Sequence, residues 1–445
     1  MKRIITILLV CLSLQMSAQC WQKVVGGYSH NLAKKVDGTL WGWGLNSTGQ
    51  VGDGSTTNRL VPKQIGTTNN WNNFAAGQQT SCATKTDGTY WTWGGYITYT
   101  TPVQLGTDTD WLVPSAGEAF RAGLKTNGTL WIWGDNTHGV LGNGTTTNNN
   151  NPTQLGTDTY ISMDCGTWHM LAVKSDGTLW AWGDNVYGNL GNGTSTNSLV
   201  PIQIGTDTDW VRVSAGNAIS LAQKTNGTLW AWGRNDYGQA ATGNFAAAKT
   251  PMQIGTLTNW VKFEAGGFHC IATQSDGSVW SWGWNAFNEI GDMTATNRNV
   301  PTRTGGATFF ANEVAAGGDH SIAIKSDGSL WGWGWNNSGQ VGDNSTSQRS
   351  SPVAISCPTS VLAINGFEIV DNLKLFPNPI KDILNLSFDK EITSVSIYNL
   401  LGQEIVSKVI NANEGSIDTS NLASGTYIIK VASHNEVKTL KVIKE

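Results

Sequence analysis

The chain has 445 residues and a net charge of −4; only 13% are charged, against 53 glycines and 22 tryptophans. That balance excludes a disordered or collagen-like chain and suits a turn-rich all-β protein. Lys2 and Arg3 make the N-terminus basic and residues 372–445 carry no net charge, leaving about −6 on the rest. With no Lys/Arg run to displace counterions from a phosphate backbone, nucleic acid is excluded as a partner.

Residues 1–19 read as a signal peptide: a basic start, an apolar stretch from Ile4 to Leu14, and Ser17-Ala18-Gln19 as the cleavage site. No later segment is apolar enough to be a transmembrane span. Cys20 directly after the leader raises a lipoprotein reading, against which Gln19 stands as a poor processing residue. Five cysteines remain beyond the leader, an odd count that forbids full pairing.

From Trp21 onward the chain repeats itself. Trp-x-Trp-Gly begins at Trp41, Trp91, Trp131, Trp180, Trp230, Trp280 and Trp331, at intervals of 49 to 51 residues except the second, which is 40. Such a period means one supersecondary unit copied in series. Within a unit, short apolar or β-branched runs alternate with glycine turns, which predicts four strands, as at 211–215, 219–224, 228–232 and 251–254. Asp-Gly or Asn-Gly precedes each Trp-x-Trp-Gly (Asp37, Asp87, Asn127, Asp176, Asn226, Asp276, Asp327), fitting two-residue hairpin turns. A four-stranded sheet cannot bury both faces alone; alternating tryptophans stacked between sheets in a ring solve this, which predicts a propeller.

The motifs Ala-Gly-x-x-His, Asp-Gly-x-x-Trp-x-Trp-Gly-x-Asn and Gly-Gln-x-Gly-Asp-Gly resemble the repeats of the regulator of chromosome condensation family, over about residues 21–356. The resemblance implies a seven-bladed β-propeller. The second unit departs from the pattern: after Gly94 it lacks the Asn-x-x-Gly-Gln segment, so a short outer loop and a notch are expected there. In repeat register Cys20 corresponds to position 70 and Cys357 to position 67, so ring closure would bring them together. A Cys20–Cys357 disulfide stapling the ring is expected. Cys82, Cys165 and Cys270 fall in strands and read as plain buried residues.

From Asn372 the composition changes to short alternating strands that read as a small β-sandwich. Phe376-Pro377-Asn378-Pro379, Ile397-Tyr-Asn-Leu-Leu-Gly402-Gln403, Leu422-Ala-Ser-Gly425-Thr-Tyr427 and terminal Lys441-Val-Ile-Lys444-Glu445 resemble the C-terminal sorting domain of Bacteroidetes type IX secretion. That implies passage through the periplasm and across the outer membrane by the type IX machinery, ending secreted or at the cell surface. The expected organisation is a signal peptide at 1–19, a seven-bladed β-propeller at 20–356, a linker at 357–371 and a sorting β-sandwich at 372–445, an all-β fold class throughout.

No nucleophile elbow, His-Glu-x-x-His pair or phosphate loop is present, so no catalytic residue, cofactor or metal is assigned. His30, His169, His269 and His320 share one repeat position with Thr80, Phe120 and Ile219, which reads as structural. Gly52-Asp-Gly-Ser55, Gly142-Asn-Gly-Thr145 and Gly191-Asn-Gly-Thr194 lack clustered carboxylates and read as turns, not calcium loops. Strand parity puts the Ala-Gly-x-x-His turns and the Trp-Gly-x-Asn loops on one face. There the units disagree, at Tyr28, Trp168, Tyr187, Arg234, Tyr237, Phe268, Trp284, Phe287 and Trp335, residue types enriched at binding hot spots. The first expectation is therefore a non-enzymatic propeller binding a protein partner through this face. The second is a polysaccharide-binding or carbohydrate-active protein, for which Asp135, Asp184, Asp236 and Glu289 are the candidate carboxylates. Guanine-nucleotide exchange stands last, because export removes the GTPase.

Overall fold

The computed structural model describes residues 20–95, 99–358, 373–399, 403–433 and 436–445. The signal peptide, most of the linker and Gly402 lie outside the described residues. The chain forms two compact units that divide between Cys357 and Pro358.

The first unit is a seven-bladed propeller, each blade an antiparallel sheet of four strands in chain order. Blade 5 is representative: Trp210–Ala215, Ile219–Lys224, Leu229–Gly233 and Ala248–Gln253. One strand, Asn149–Cys165, runs unbroken from the outer edge of blade 3 to the inner edge of blade 4. Blade 1 (first strand Trp21–Gly26) and blade 7 (last strand Arg349–Ile355) each take all four strands from their own repeat. The ring therefore closes without a shared strand.

The Leu-Trp-x-Trp strand explains the packing. Alternation sends Leu40 toward blade 2, where it meets Ile65, Trp71, Phe74 and Trp93; Trp41 and Trp43 face the other way, toward Ile322 and Leu330 of blade 7. Each interface thus joins the aliphatic face of one blade to the tryptophan face of the next. The first tryptophan of the motif also anchors its turn. Asp37 Oδ1 accepts from the Thr39 N–H and hydroxyl, and Thr39 Oγ1 accepts from Trp41 Nε1 at 2.8 Å. A lysine then lies over the ring, as Lys35 does over Trp41 at 4.0 Å and Lys174 over Trp180 at 3.5 Å.

These turns correct one expectation. Gly38 N–H bonds to Lys35 O, and only the glycine has positive φ (+84° at Gly38). They are three-residue turns ending in a left-handed glycine, not two-residue hairpin turns. The aspartate's side chain takes up the following backbone N–H, a local bond that competes with the mirror-image turn.

The second unit is a five-stranded sheet built on the long strand Ile383–Tyr398, which pairs with Lys374–Phe376, Glu404–Asp418 and Gly425–Ser433; Glu436–Lys444 completes it. Register breaks between Ser387 and Ile392, and the two halves turn Leu384, Leu386, Val395 and Ile397 into one core with Ile429 and Val431. That bent, two-sided arrangement is the small β-sandwich.

Candidate functional site

The face bearing the Ala-Gly-x-x-His turns is built on a repeated bond chain between blades. His30 Nε2 donates to Ser81 Oγ (2.8 Å), Ser81 donates to the Gln50 carbonyl (2.8 Å), and Trp93 Nε1 donates to the same oxygen (2.9 Å). His169, Ser220 and Trp232 repeat this on Asn189 O, and His269, Ser321 and Trp333 on Glu289 O. At the seam His320 donates to Asn31 Oδ1, while Asn31 Nδ2 and Trp43 share Gln340 O. Burial pushes these imidazoles down, to about 3 for His30, His269 and His320 and about 4 for His169, so they are neutral donors. Where the histidine position is apolar, the facing position is apolar too: Phe120 faces Met170, and Ile219 faces Cys270. The preceding glycine is required, because a Cβ on Gly317 would lie 2.1 Å from the His320 ring.

The carbonyls that accept these bonds come from the Trp-Gly-x-Asn loops. Asn46 holds one such loop by accepting from Val51 N–H and donating to Ser55 O and Thr57 O. Asn136, Asn185, Asn235, Asn285 and Asn336 act alike. The carboxylates of the Gly-Asp turns are engaged: Asp53 pairs with Arg59, Asp292 with Arg298 and Asp343 with Arg349. Among the described residues no group of three His, Cys, Asp or Glu could hold a metal ion.

Above this scaffold seven of the nine variable residues meet. Arg234 lies over the rings of Tyr187 (4.8 Å) and Phe268 (5.2 Å). Tyr237 stacks on Trp284 at 4.6 Å, and Trp284 contacts Phe268 at 4.9 Å and Phe287 at 6.0 Å. Phe287 reaches Trp335 at 4.1 Å. The result is a continuous ribbon of half-buried rings and one guanidinium across blades 4 to 7. Trp168 and Tyr28 stand apart. Trp168 is 42% exposed and stacks on His138 at 4.8 Å and 12°. Tyr28 packs over Gly318 at the mouth of the central channel. His138 escaped the sequence reading, although it occupies the loop position of Tyr187, Tyr237 and Phe287, two residues after the Asn; the register alone would have found it.

Of the candidate carboxylates, Asp135 and Asp184 both lie near His138, while Asp236 and Glu289 belong to later blades. Asp236 pairs with Arg234 at 2.9 Å; Asp135 accepts from Thr137 and Asn148. Asp184 lies 3.9 Å from His138, and Glu289 is buried, its carboxyl pushed up to about 8 by desolvation. The central channel is lined by charges that satisfy one another. Asp164 accepts from Ser115 and from Ala215 N–H, Glu264 pairs with Arg212 at 3.2 Å, and Lys262 with Glu313 at 2.8 Å.

Cys20 and Cys357 are joined in a disulfide with Cα atoms 6.2 Å apart; Cys82, Cys165 and Cys270 are free and buried. In the C-terminal unit three of the four motifs, at 376–379, 422–427 and 441–445, meet around the last strand. Asn378 Oδ1 accepts from Ile443 N–H, Ile380 N–H bonds to Ile443 O, and Glu445 N–H to Ile380 O. Phe376, at the end of its strand, is half exposed, and Pro377 and Pro379 both follow cis bonds. Gly425 pairs with Lys444, and Lys441 lies opposite Ile428 in the ladder.

Similarity to known proteins follows this division. The RCC1-like domain model matches residues 98–368, and models of the regulator of chromosome condensation (RCC1) repeat match residues 37–84 and 21–50. The secretion system C-terminal sorting domain matches residues 374–445. The ultraviolet-B receptor UVR8 of Arabidopsis thaliana is 27% identical over 121 residues, covering 24% of this chain and 28% of the receptor, well short of that relative's length. Human WBSCR16 superposes with a TM-score of 0.64 at 20% identity, covering 72% of this chain and 95% of that one. Prp20p of Saccharomyces cerevisiae does so with 0.60 at 22%, covering 68% and 82%. Identities this low speak to the fold alone.

Proposed function

The chain belongs to the RCC1-like domain family and ends in a type IX sorting domain that takes it to the cell surface or beyond, and from that premise we propose a non-enzymatic binding role. The propeller, residues 20–356, grips a protein partner through the ring-and-guanidinium ribbon of blades 4 to 7. One observation supports this above the others: seven non-consensus side chains from separate repeats form one unbroken surface. Ring stacks fixed by their neighbours lose little conformational freedom on binding, which favours them as anchors.

Pull-down from culture medium with mass spectrometry tests the role. Changing Tyr237, Trp284 and Trp335 together to Ala should cost more than tenfold in captured prey, since each anchor contributes about 1–2 kcal/mol or more. Prey retained by that variant places the partner elsewhere, and a positive glycan array would favour the carbohydrate reading. The tail has its own test: a reporter fused to residues 372–445, with an export leader, should leave a type IX-competent cell. Retention in the periplasm contradicts the sorting role.

A further inference from the structure

The second blade breaks the loop rule, and the break falls beside an unusual residue. In five of the six regular interfaces one loop carbonyl takes two donors from the next blade, the motif's second tryptophan and the residue after the histidine position; between blades 3 and 4, where that residue is Met170, only Trp182 donates. On blade 3 those donors are Trp133 and Arg121, and blade 2 has no Asn-x-x-Gly-Gln loop to meet them. Arg121 is only 7% exposed, yet its Nε has no acceptor among the described residues, and it forms no ion pair there. The Trp133 indole N–H has no protein acceptor among them either, whereas Trp93, Trp182, Trp232, Trp282 and Trp333 each bond to a loop carbonyl. Thr80, which faces Arg121 where other blades pair His with Ser, also has an unpartnered hydroxyl.

These groups line a cavity of about 800 Å³ that opens on the loop face. Phe120 and Leu105 give it apolar walls, and the stacked His138–Trp168 pair forms one side. Two carboxylates stand in the lining. Asp135 is already engaged by Thr137 and Asn148, and Glu118 sits on the turn before Phe120. A guanidinium cannot shed its charge, so burying it without an anion is unfavourable. Its planar fork matches a carboxylate, and the nearby indole adds a donor.

We propose that this notch is a carboxylate-binding site, in which Arg121 takes the anion and the apolar body of the ligand lies against Phe120, Leu105 and Trp168. The size suits a small organic acid or one acidic side chain of an inserted polypeptide. The assignment is independent of the ribbon, which lies on blades 4 to 7.

Calorimetric titration of the full chain tests it with two matched pairs: benzoate against benzamide, and capped peptides differing only in a central Glu or Gln. The acid of at least one pair should bind, its neutral twin at least tenfold more weakly. Arg121→Met should weaken binding at least tenfold while remaining folded, because blade 4 holds a buried methionine, Met170, at the same position. Benzoate binding identifies a free acid as the ligand class; binding of the Glu peptide alone identifies an acidic side chain. No binding by either acid, equal binding of acid and neutral twin, or unchanged binding by Arg121→Met overturns the proposal.

Discussion

Replacing Cys20 and Cys357 together by Ser is expected to lower stability by about 2–5 kcal/mol, read as a shift in the denaturant midpoint. The bond spans 337 residues of sequence, so it restrains nearly the whole propeller when unfolded. Loop-closure entropy for such a span is about 6 kcal/mol at 25 °C, an upper bound that native strain and residual structure reduce. The seam is also the interface between the two ends of the propeller sequence, and neither blade 1 nor blade 7 lends the other a strand. The seam is held by side-chain packing, by backbone bonds from Trp21 N–H to Gly328 O, Gly318 N–H to Tyr28 O and Asn344 N–H to Leu60 O, and by the His320–Asn31–Gln340 chain. Reduced wild-type protein should show the same loss as the variant. An unchanged midpoint would mean that interface packing alone closes the ring.

The second large effect concerns the pairs between blades. Ser220→Ala should cost about 1–3 kcal/mol, because it leaves the His169 Nε2–H buried without an acceptor. Changing both partners, His169→Ile with Ser220→Cys, should recover most of that loss, because Ile219 and Cys270 already hold the same positions in the next interface. A double-mutant cycle would report coupling of about 1 kcal/mol or more; simple additivity would refute the pairing. Acid sharpens the contrast. His169 is held neutral in the fold, down to about 4, against about 6.5 when unfolded. As pH falls the unfolded chain takes up the proton first. The histidine's contribution is therefore complete above 6.5 and lost between 6.5 and about 4. Relative to wild type, the double variant should resist acid better, by about 3 kcal/mol at pH 4. Glu264 and Glu289, raised to about 7 and about 8 by burial, titrate in the opposite sense, and they cancel in this comparison because both proteins carry them.

Much of the molecule was legible in its residues. The Trp-x-Trp-Gly period set the blade count, and the Asp-Gly-Thr turns and glycine positions set the strand ends, because these are local backbone requirements repeated seven times. The same register placed Cys20 beside Cys357 and exposed the short second unit. It also picked out the nine variable positions of the loop face, but not how they group. Nothing in the sequence distinguishes Trp168, which pairs with His138, from Phe268 at the same repeat position, which joins a four-blade ribbon. The turn type was misread because the aspartate side chain, not the Asp-Gly pair's φ preference, decides it.

What the sequence determined alone was the repeating unit, its count, its one irregular copy and the change of composition at the tail. Only the tertiary structure decided which residue faces which across an interface: His30 against Ser81, Phe120 against Met170, Thr80 against Arg121. The reason is physical. Periodicity reports the hydrogen bonding and burial that a strand needs for itself, the same in every copy. Contacts between blades join residues some fifty positions apart, and their chemistry depends on the opposite side chain and on whether a loop between them supplies a carbonyl. Arg121 reads as one more polar residue in a strand until the ring places it, buried and with its Nε lacking an acceptor among the described residues, beside the repeat that lacks the Asn-x-x-Gly-Gln segment.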